Sequence, residues 1–274
     1  MAERGGAAAR PIFISAVQIE AELAAGRRSL ADLAPLAAAV GARGVEYRDV
    51  YWQDKAHELP AVRRQLGELA LQAAYTTVTP LCHPDAAVQA ALLRHIEDAR
   101  DLGAVLLRVN LGVPPGEGEA GRALRAAAVV AIEHARRMQV PLSLENNARP
   151  PDDRLEDIRA ALAHFDSPLL GTNIDFANYV ATGQDPVAAI QALAPWINYV
   201  HLKDARRAPD GWRATYLGNG ELPLRAILAA LDATGRRVPW CLEFPGDADP
   251  ERAIRASLAW LERHDAHRQD AKGA

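Results

Sequence analysis

The chain has 274 residues, of which 49% are hydrophobic and 24% charged, and this composition is typical of a soluble globular protein with a sizeable core. Its formal net charge of −4 does not favour a polyanionic partner, so nucleic acid is disfavoured as a ligand. No apolar run approaches the ~20 residues that cross a bilayer, and the first ten residues lack the apolar core of a signal peptide, so we expect a cytoplasmic protein without membrane contact.

Apolar runs of strand length recur along the chain, and segments with helical spacing separate them. The runs cover residues 12–17, 44–47, 71–78, 105–109, 141–144, 169–174, 197–200 and 239–242. Helix starts are indicated by proline at the first helical position or by aspartate just before it, at Pro84, Asp185, Pro186, Asp249 and Pro250. Helix ends before the next strand are indicated at Gly41 and Gly103.

Eight strand and helix units of about 30 residues follow one another without a linker, which favours a closed barrel over an open doubly wound sheet. We therefore predict a single (β/α)₈ TIM barrel over residues 11–264, with flexible tails at 1–10 and 265–274. In such barrels the chemistry collects at the carboxyl ends of the strands and in the loops that follow. The longest connection, 202–220, exceeds a plain turn, and we expect it to cover a ligand.

Ionisable side chains stand at the ends of the last four predicted strands, at Glu145, Asp175, His201 and Glu243. A carboxylate buried without a partner is costly, so converging strand ends of this kind indicate a cation between them. Three carboxylates and one imidazole form a mostly oxygen ligand set, which suits Mn²⁺ or Mg²⁺ and, less exclusively, Co²⁺ or Zn²⁺. For Glu145 and Glu243 the alternative is a salt bridge at the barrel mouth with Arg108 or Arg149.

The sequence around these residues resembles the xylose isomerase-like superfamily of TIM barrels, and within it the sugar (phosphate) isomerase/epimerase group that includes D-tagatose 3-epimerase. The resemblance spans residues 12–261 and is most specific over the last four strands. The segments that carry it are LEN at 144–146, IDFAN at 174–178, TGQDP at 182–186, YVHLKD at 199–204, LGNGE at 217–221 and LEFPG at 242–246.

The resemblance implies that a divalent metal, with Mn²⁺ the first candidate, is bound by Glu145, Asp175, His201 and Glu243. It also implies that Glu145 and Glu243 form the proton-transfer pair, and that Arg207 contacts substrate oxygens. The chain departs from the epimerases at two positions, where Asn178 and Asn147 stand in place of histidines. Together with the residues at the predicted mouth, this gives as substrate-binding candidates Arg207, Lys203, Asn178, Asn147 and Arg108.

A metal that chelates a carbonyl and its neighbouring hydroxyl acidifies the carbon-bound proton and stabilises an enediolate. The function expected first is therefore a metal-dependent isomerase or epimerase of a small keto sugar or sugar derivative in carbohydrate metabolism. The same residues suit an alternative, a lyase or dehydratase acting on a keto sugar, keto inositol or keto glycoside. Endonuclease IV shares this barrel but needs more histidines, and a barrel that binds a metabolite without turnover is a third class.

Further candidates for the mouth of the barrel, at the carboxyl ends of the strands, follow predicted strands two to four. They either contact the ligand or only support the loops and the residues that do: Glu46, Arg48, His83, Arg108 and Asn110. Lys203 and Asp204 form either a substrate contact or a solvated loop pair. Aromatic residues beside the mouth provide a wall for a sugar ring, loop packing or a subunit contact in a homo-oligomer, namely Tyr51, Trp52, Trp212 and Tyr216.

Overall fold

The chain folds into a closed barrel of eight parallel strands surrounded by helices, so the predicted (β/α)₈ fold is confirmed. The computed structural model describes residues 10–148, 154–246 and 249–273. The strands are β1 (Ile12–Ser15), β2 (Gly44–Arg48), β3 (Gln72–Cys82), β4 (Leu107–Gly112), β5 (Leu142–Glu145), β6 (Leu170–Asp175), β7 (Ile197–Leu202), β8 (Asp204–Ala208), β9 (Gly211–Thr215) and β10 (Trp240–Leu242). The order around the barrel is β1-β10-β7-β6-β5-β4-β3-β2, and β8 and β9 form a separate antiparallel hairpin.

Helices follow the barrel strands and cover the outside of the sheet with their apolar faces. They are α1 (Glu20–Ala24), α2 (Leu33–Val40), α3 (Lys55–Glu68), α4 (Ala86–Leu102), α5 (Gly118–Met138), α6 (Leu155–Phe165), α7 (Phe176–Ala181), α8 (Pro186–Leu193), α9 (Leu224–Ala233) and α10 (Pro250–Gly273). Among the described residues, none of these helices has the length and apolar character that a bilayer crossing requires. Residues 1–9 lie outside the described residues, and the domain limits of 11–264 with tails on both sides stay a prediction.

The helix boundary signals in the sequence are mostly confirmed. Asp185 accepts a hydrogen bond from the backbone N–H two residues later at 2.8 Å, and Asp249 accepts one from the N–H three residues later at 3.0 Å. The prediction that α4 begins at Pro84 is wrong, because the side chain of Asp85 caps that helix and its first residue is Ala86. Left-handed backbone ends α2 and α4, as predicted, at Gly41 and Gly103.

The interior of the barrel contains an apolar layer beneath a polar one. The apolar layer is a single packed cluster of Phe13, Ala74, Leu106, Tyr199 and Cys241. Side chains two positions apart on a strand share a face, so the next inward residue along each of these strands lies nearer the carboxyl end. Those residues are all buried and polar: Ser15, Thr76, Arg108, His201 and Glu243. The strand alternation thus places these polar side chains, His201 and Glu243 among them, on the carboxyl-end side of the apolar layer.

The long connection after β7 is an ordered hairpin followed by a turn, where only a covering loop was predicted. The buried Asp204 carboxylate holds the turn, because it accepts backbone hydrogen bonds at 2.8–3.1 Å from the N–H groups of Ala205, Gly218, Gly220 and Leu222. A side chain at Gly220 would collide with this carboxylate. Asp204 and Lys203 are both buried, so the prediction of a solvated loop pair is wrong. The hydrogen bonds of Asp204 give it a role in organising the loop that was not among the predictions.

Candidate metal and active site

The structure brings the four predicted metal ligands together at the carboxyl end of the barrel. One donor atom from each of Glu145, Asp175 and His201 lies within 4.8 Å of the other two, and all three residues are buried. The register of β6 and β7 places Asp175 beside His201. Glu243 follows β10, and its Oε2 lies 4.0 Å from Nδ1 of His201. A buried carboxylate and imidazole group that could hold a metal is therefore present.

A fifth residue, Glu46, orients the histidine from the opposite side. Its Oε2 lies 2.7 Å from Nε2 of His201, and its Oε1 accepts a hydrogen bond from Ser15 Oγ at 2.9 Å. The other ring nitrogen, Nδ1, lies 2.8 Å from Glu145 Oε1 without the alignment of a hydrogen bond. A histidine that binds a metal through one ring nitrogen usually donates the N–H of the other to a carboxylate. Here Glu46 is that carboxylate for Nε2, which leaves Nδ1 facing the other acidic residues. The donor set and its orientation fit a divalent cation.

Charges inside the site shift the pKa values of its members. Burial disfavours the charged imidazole, but Glu46, Asp175 and Glu145 raise the pKa of His201 well above its usual value. Burial also disfavours a Glu46 carboxylate, yet His201, Arg108 and Arg48 lower the pKa of Glu46 to about 2. Against the same opposing effect of burial, Arg108, His201 and Lys203 hold the pKa of Glu145 well below its ordinary range. Glu46 and Glu145 are therefore carboxylates at neutral pH.

Both glutamates of the predicted proton-transfer pair also have basic partners. Arg108 Nη1 lies 3.0 Å from Glu145 Oε2, so the alternative prediction of a salt bridge with Arg108 is confirmed for Glu145. Arg48 Nη1 lies 3.2 Å from Glu243 Oε1, and Lys203 Nζ lies 2.5 Å from Glu243 Oε2. Arg149 lies outside the described residues. The salt bridges coexist with the imidazole contacts, because each carboxylate offers two oxygens to different neighbours.

A cavity of about 430 Å³ opens onto these side chains. Among the described residues, its lining contains both glutamates, three basic residues, three carboxamides and one apolar side chain: Arg48, Val78, Arg108, Asn110, Glu145, Asn147, Asn178, Lys203 and Glu243. Four of the five predicted substrate-binding residues are among them, namely Lys203, Asn178, Asn147 and Arg108. A lining this rich in hydrogen-bonding groups suits a small ligand with many oxygen atoms.

The fifth predicted substrate-binding residue, Arg207, lies on the hairpin. Its guanidinium stacks over the ring of Trp212 at 4.7 Å, and the residue is exposed rather than part of the described cavity lining. Its neighbour Arg206 instead binds Asn219. Adjacent residues on a strand point to opposite faces, so only one of the two arginines can face inward at a time.

Carboxamides position two of the acidic residues, and among them Asn146 and Asn173 had no role predicted from the sequence. Asn173 Nδ2 donates a hydrogen bond to Glu145 Oε1 at 3.1 Å. Asn146 accepts from the backbone N–H of Asp175 at 2.9 Å and donates to its carbonyl at 2.7 Å. Asn178 donates to the carbonyl of Asn146 at 2.9 Å. The spacing of Asn173 two positions before Asp175 was a usable signal, because it places both side chains on the same face of β6.

The remaining mouth candidates have structural contacts. Tyr51 donates to Glu20 at 2.7 Å, and Trp52 donates to Tyr75 at 3.1 Å. Tyr216 lies beneath the guanidinium of Arg252 at 5.7 Å. None of the four predicted aromatic residues belongs to the described cavity lining. His83 accepts a hydrogen bond at the start of α4 and is likewise outside that lining.

Comparisons with known proteins agree with the architecture. The family model described as "Xylose isomerase-like TIM barrel" matches residues 34–264. A solved structure of L-ribulose 3-epimerase superposes with a TM-score of 0.77 at 19% identity, covering 96% of this chain and 97% of that one. The probable 3-DHS dehydratase AsbF from Bacillus anthracis gives a TM-score of 0.74 at 18% identity over 92% and 98%. The IOLI protein with a bound zinc atom gives 0.73 at 16% over 93% and 97%.

Two curated proteins share a shorter stretch with the chain. 3-Dehydroshikimate dehydratase of Bacillus anthracis is 35% identical over 65 residues, which is 24% of this chain and 23% of that protein. "Uncharacterized protein YihM" of Escherichia coli K12 is 35% identical over 69 residues, which is 24% of this chain and 21% of that protein. The matching stretches thus span about a fifth of each curated relative. The solved structures are less than 25% identical to this chain, so their similarity shows the fold alone.

Proposed function

Because the chain belongs to the xylose isomerase-like TIM barrel family, we propose that it is a divalent-metal-dependent isomerase or epimerase of a small keto sugar or sugar derivative. The observation that carries the proposal is the position of Glu145 and Glu243. Both line one polar cavity, and both lie within 4.0 Å of Nδ1 of His201. Enolisation requires two acid–base groups that face the same substrate next to a metal site. Two glutamates that line one cavity beside a set of metal-binding side chains provide this arrangement.

When bound, a divalent ion supplies electron withdrawal from the substrate carbonyl, which makes the neighbouring C–H acidic. The four proposed residues to hold it are Glu145, Asp175, His201 and Glu243, with Mn²⁺ the first candidate and Mg²⁺, Co²⁺ or Zn²⁺ as alternatives. The zinc in the IOLI structure supports a metal in this fold family.

The two glutamates perform the proton transfer in the proposed mechanism. One glutamate, as a carboxylate, accepts the proton from carbon and leaves an enediolate, and the other, as a protonated carboxylic acid, donates its proton to the enediolate. Protonation of the same carbon from the opposite face gives an epimer, and protonation of the neighbouring carbon gives an aldose/ketose isomer. Arg108 and Arg48 keep the carboxyl groups of Glu145 and Glu243 in position, because each arginine binds the oxygen that faces away from the histidine contact.

Substrate oxygens are held, we propose, by the basic and carboxamide groups of the cavity. Lys203 and Arg108 suit an oxygen that becomes negative, while Asn147 and Asn178 suit hydroxyl groups, since a carboxamide both donates and accepts. Arg207 joins them only if its guanidinium leaves the ring of Trp212. The substitution of asparagine for histidine at 147 and 178 makes the substrate contacts of this chain different from those of the epimerases it resembles.

A dehydratase or lyase acting on a keto sugar, keto inositol or keto glycoside is the second candidate. The observation that favours it is the short stretch of 35% identity to a 3-dehydroshikimate dehydratase. Collapse of the enediolate can instead re-form the carbonyl and expel the hydroxyl of the next carbon as water, with the proton supplied by the second glutamate, and this yields a carbon–carbon double bond. The two activities therefore diverge only after the first proton transfer.

The test is a substrate panel in D₂O followed by proton NMR. Protein stripped with EDTA and reloaded with Mn²⁺ is incubated with L-ribulose, D-allulose, a keto inositol and 3-dehydroshikimate. Deuterium exchange next to the carbonyl without a new double bond supports the epimerase or isomerase, and an alkene signal supports the dehydratase. Failure to exchange on any member, together with ligand binding, would instead support a binding protein without turnover.

Matched variants connect the panel to the site. At saturating Mn²⁺, Glu145→Gln and Glu243→Gln are each expected to lower the exchange rate about 10²–10⁴-fold, the usual contribution of a positioned acid or base. Glu133→Gln on α5, which removes an exposed partner of Arg136, serves as the control and is expected to leave the rate unchanged. Wild-type rates in both active-site variants would refute the proposed roles.

Two further proposals concern the state of the protein. The free, buried Cys82 and Cys241 support a reducing compartment, so we place the protein in the cytoplasm. Its partners are a small carbohydrate and, we propose, a second copy of the chain in a homo-oligomer, with no nucleic-acid or membrane partner. Size-exclusion chromatography with light scattering tests the oligomer.

A further inference from the structure

Lys203 lies inside the proposed ligand set and bridges two of its carboxylates. Its Nζ is 2.6 Å from Asp175 Oδ2 and 2.5 Å from Glu243 Oε2, and the residue is buried. The lysine follows His201 by two positions at the end of β7, so both side chains reach the same face of the barrel. The ammonium of Lys203 is therefore an immediate counter-cation of Asp175 and Glu243, which it joins.

The oxygens that Lys203 contacts are also those nearest to the histidine ligand atom. Asp175 Oδ2 and Glu243 Oε2 lie 3.8 and 4.0 Å from Nδ1 of His201. A Mg²⁺-like ion needs its donors about 2 Å away, so an ion held by these atoms would share the oxygens with a second positive charge. Like charges at such separations repel strongly in buried surroundings. The ammonium and a divalent ion thus compete for the same two carboxylates.

The lysine has room to move away from these oxygens. Lys203 is part of the lining of the 430 Å³ cavity, and its flexible four-carbon stem allows the ammonium to swing without a change in the strand. Arg108 has less freedom, because it is bound by Glu145, Asn110 and the carbonyl of Thr77. Lys203 is therefore better placed than Arg108 to move within the described cavity lining.

We propose that Lys203 is an internal competitor for the metal, and that metal loading moves its ammonium from Asp175 and Glu243 into the cavity, where it contacts an anionic substrate oxygen. This inference rests on the proposed function, because it assumes that the four-residue set binds a divalent ion. A competing lysine and a lysine in a structural ion pair have opposite effects on metal affinity. Loss of a structural lysine weakens the site, whereas loss of a competitor tightens metal binding.

The experiment is an Mn²⁺ titration followed by the EPR signal of the free ion, with Lys203→Met compared with the wild type. We expect Lys203→Met to bind Mn²⁺ at least tenfold more tightly. Lys55→Met is the matched control, because Lys55 Nζ also lies 2.5 Å from a carboxylate, Asp98, but outside the described cavity lining, and its affinity should equal that of the wild type. Equal or weaker binding by Lys203→Met would overturn the inference while leaving the proposed function intact.

Absence of Mn²⁺ binding in the wild type and in Lys203→Met alike would overturn both the inference and the proposed metal dependence. A second measurement needs no variant at the site. Wild-type protein is reductively methylated with and without Mn²⁺, and the labelling of Lys203 and Lys55 is quantified by mass spectrometry. Mn²⁺ should increase labelling of Lys203 severalfold relative to Lys55. Unchanged or reduced labelling of Lys203 would show that the ammonium stays in place.

Discussion

Nε2 of His201 lies 2.7 Å from Oε2 of Glu46, a contact between β7 and β2 that joins residues 155 positions apart. Both side chains are fully buried, and Ser15 holds the second oxygen of Glu46. The contact determines which ring nitrogen faces the other acidic residues, because Nε2 is engaged by Glu46 and Nδ1 points to Glu145. The metal set proposed for this chain therefore depends on a residue that is not one of its ligands.

Glu46→Gln is expected to weaken metal binding about 10–100-fold, the effect usually seen when the partner of a ligating histidine is changed. The amide keeps the size of the carboxylate but removes the charge that favours an N–H on Nε2. Isothermal titration with Mn²⁺ and Zn²⁺ measures the change, and Glu133→Gln on the outer surface is the control. An affinity within twofold of the wild type would show that Glu46 does not support the histidine.

The same pair predicts a dependence of stability on acid. The pKa of Glu46 falls from its ordinary 4.5 to about 2, so its carboxylate stabilises the fold above pH 4.5, and this contribution is lost as the pH falls from 4.5 toward 2. The shift corresponds to about 3 kcal/mol at most. Urea unfolding in EDTA should therefore show a stability difference between wild type and Glu46→Gln that shrinks as the pH falls from 4.5 toward 2. A difference that persists at pH 2 would contradict this.

Asp204→Asn should destabilise the turn that follows the hairpin. The carboxylate accepts four backbone hydrogen bonds, two on each oxygen, and an asparagine retains one accepting oxygen, so two of the four N–H groups lose their acceptor. We expect a loss of about 2 kcal/mol in the free energy of unfolding, or about 4–8 °C in Tm, by calorimetry. Asp210→Asn, an exposed residue on the same hairpin, is the control and should change Tm little.

Arg207→Met tests whether the hairpin reaches the substrate. If Arg207 leaves Trp212 to bind a substrate oxygen, its loss should raise KM about tenfold while kcat changes less, because about 1.4 kcal/mol of binding is removed. Arg213→Met, an exposed arginine of the same hairpin paired with Asp210, should leave KM unchanged. Steady-state kinetics on the substrate found in the panel gives both values, and a KM for Arg207→Met equal to that of the wild type would place Arg207 outside the site.

The barrel and the level of its polar layer were predictable because they follow from local rules. An apolar run that ends in Glu145 or Asp175 predicts a strand whose last side chain lies at the mouth, and period-2 alternation determines which residues share its inner face. The same alternation places Asn173 on the inner face of β6, although Asn173 was not among the predicted site residues. The capping role of Asp185 depends on neighbours two residues away, so it too could be predicted.

The partners of these side chains were decided by tertiary structure. Closure of the barrel brings Glu46 to His201 and Arg48 to Glu243. Neither pairing can be predicted from the spacing of these residues along the sequence. Hairpin formation after β7 turned Arg207 onto Trp212, where sequence resemblance had assigned it to substrate. By itself, the sequence determined the strands and the chemical types at their ends, since these depend on burial and alternation along one segment. Only the fold decided which charge meets which, because Coulombic pairing depends on distances between segments that are far apart in the chain.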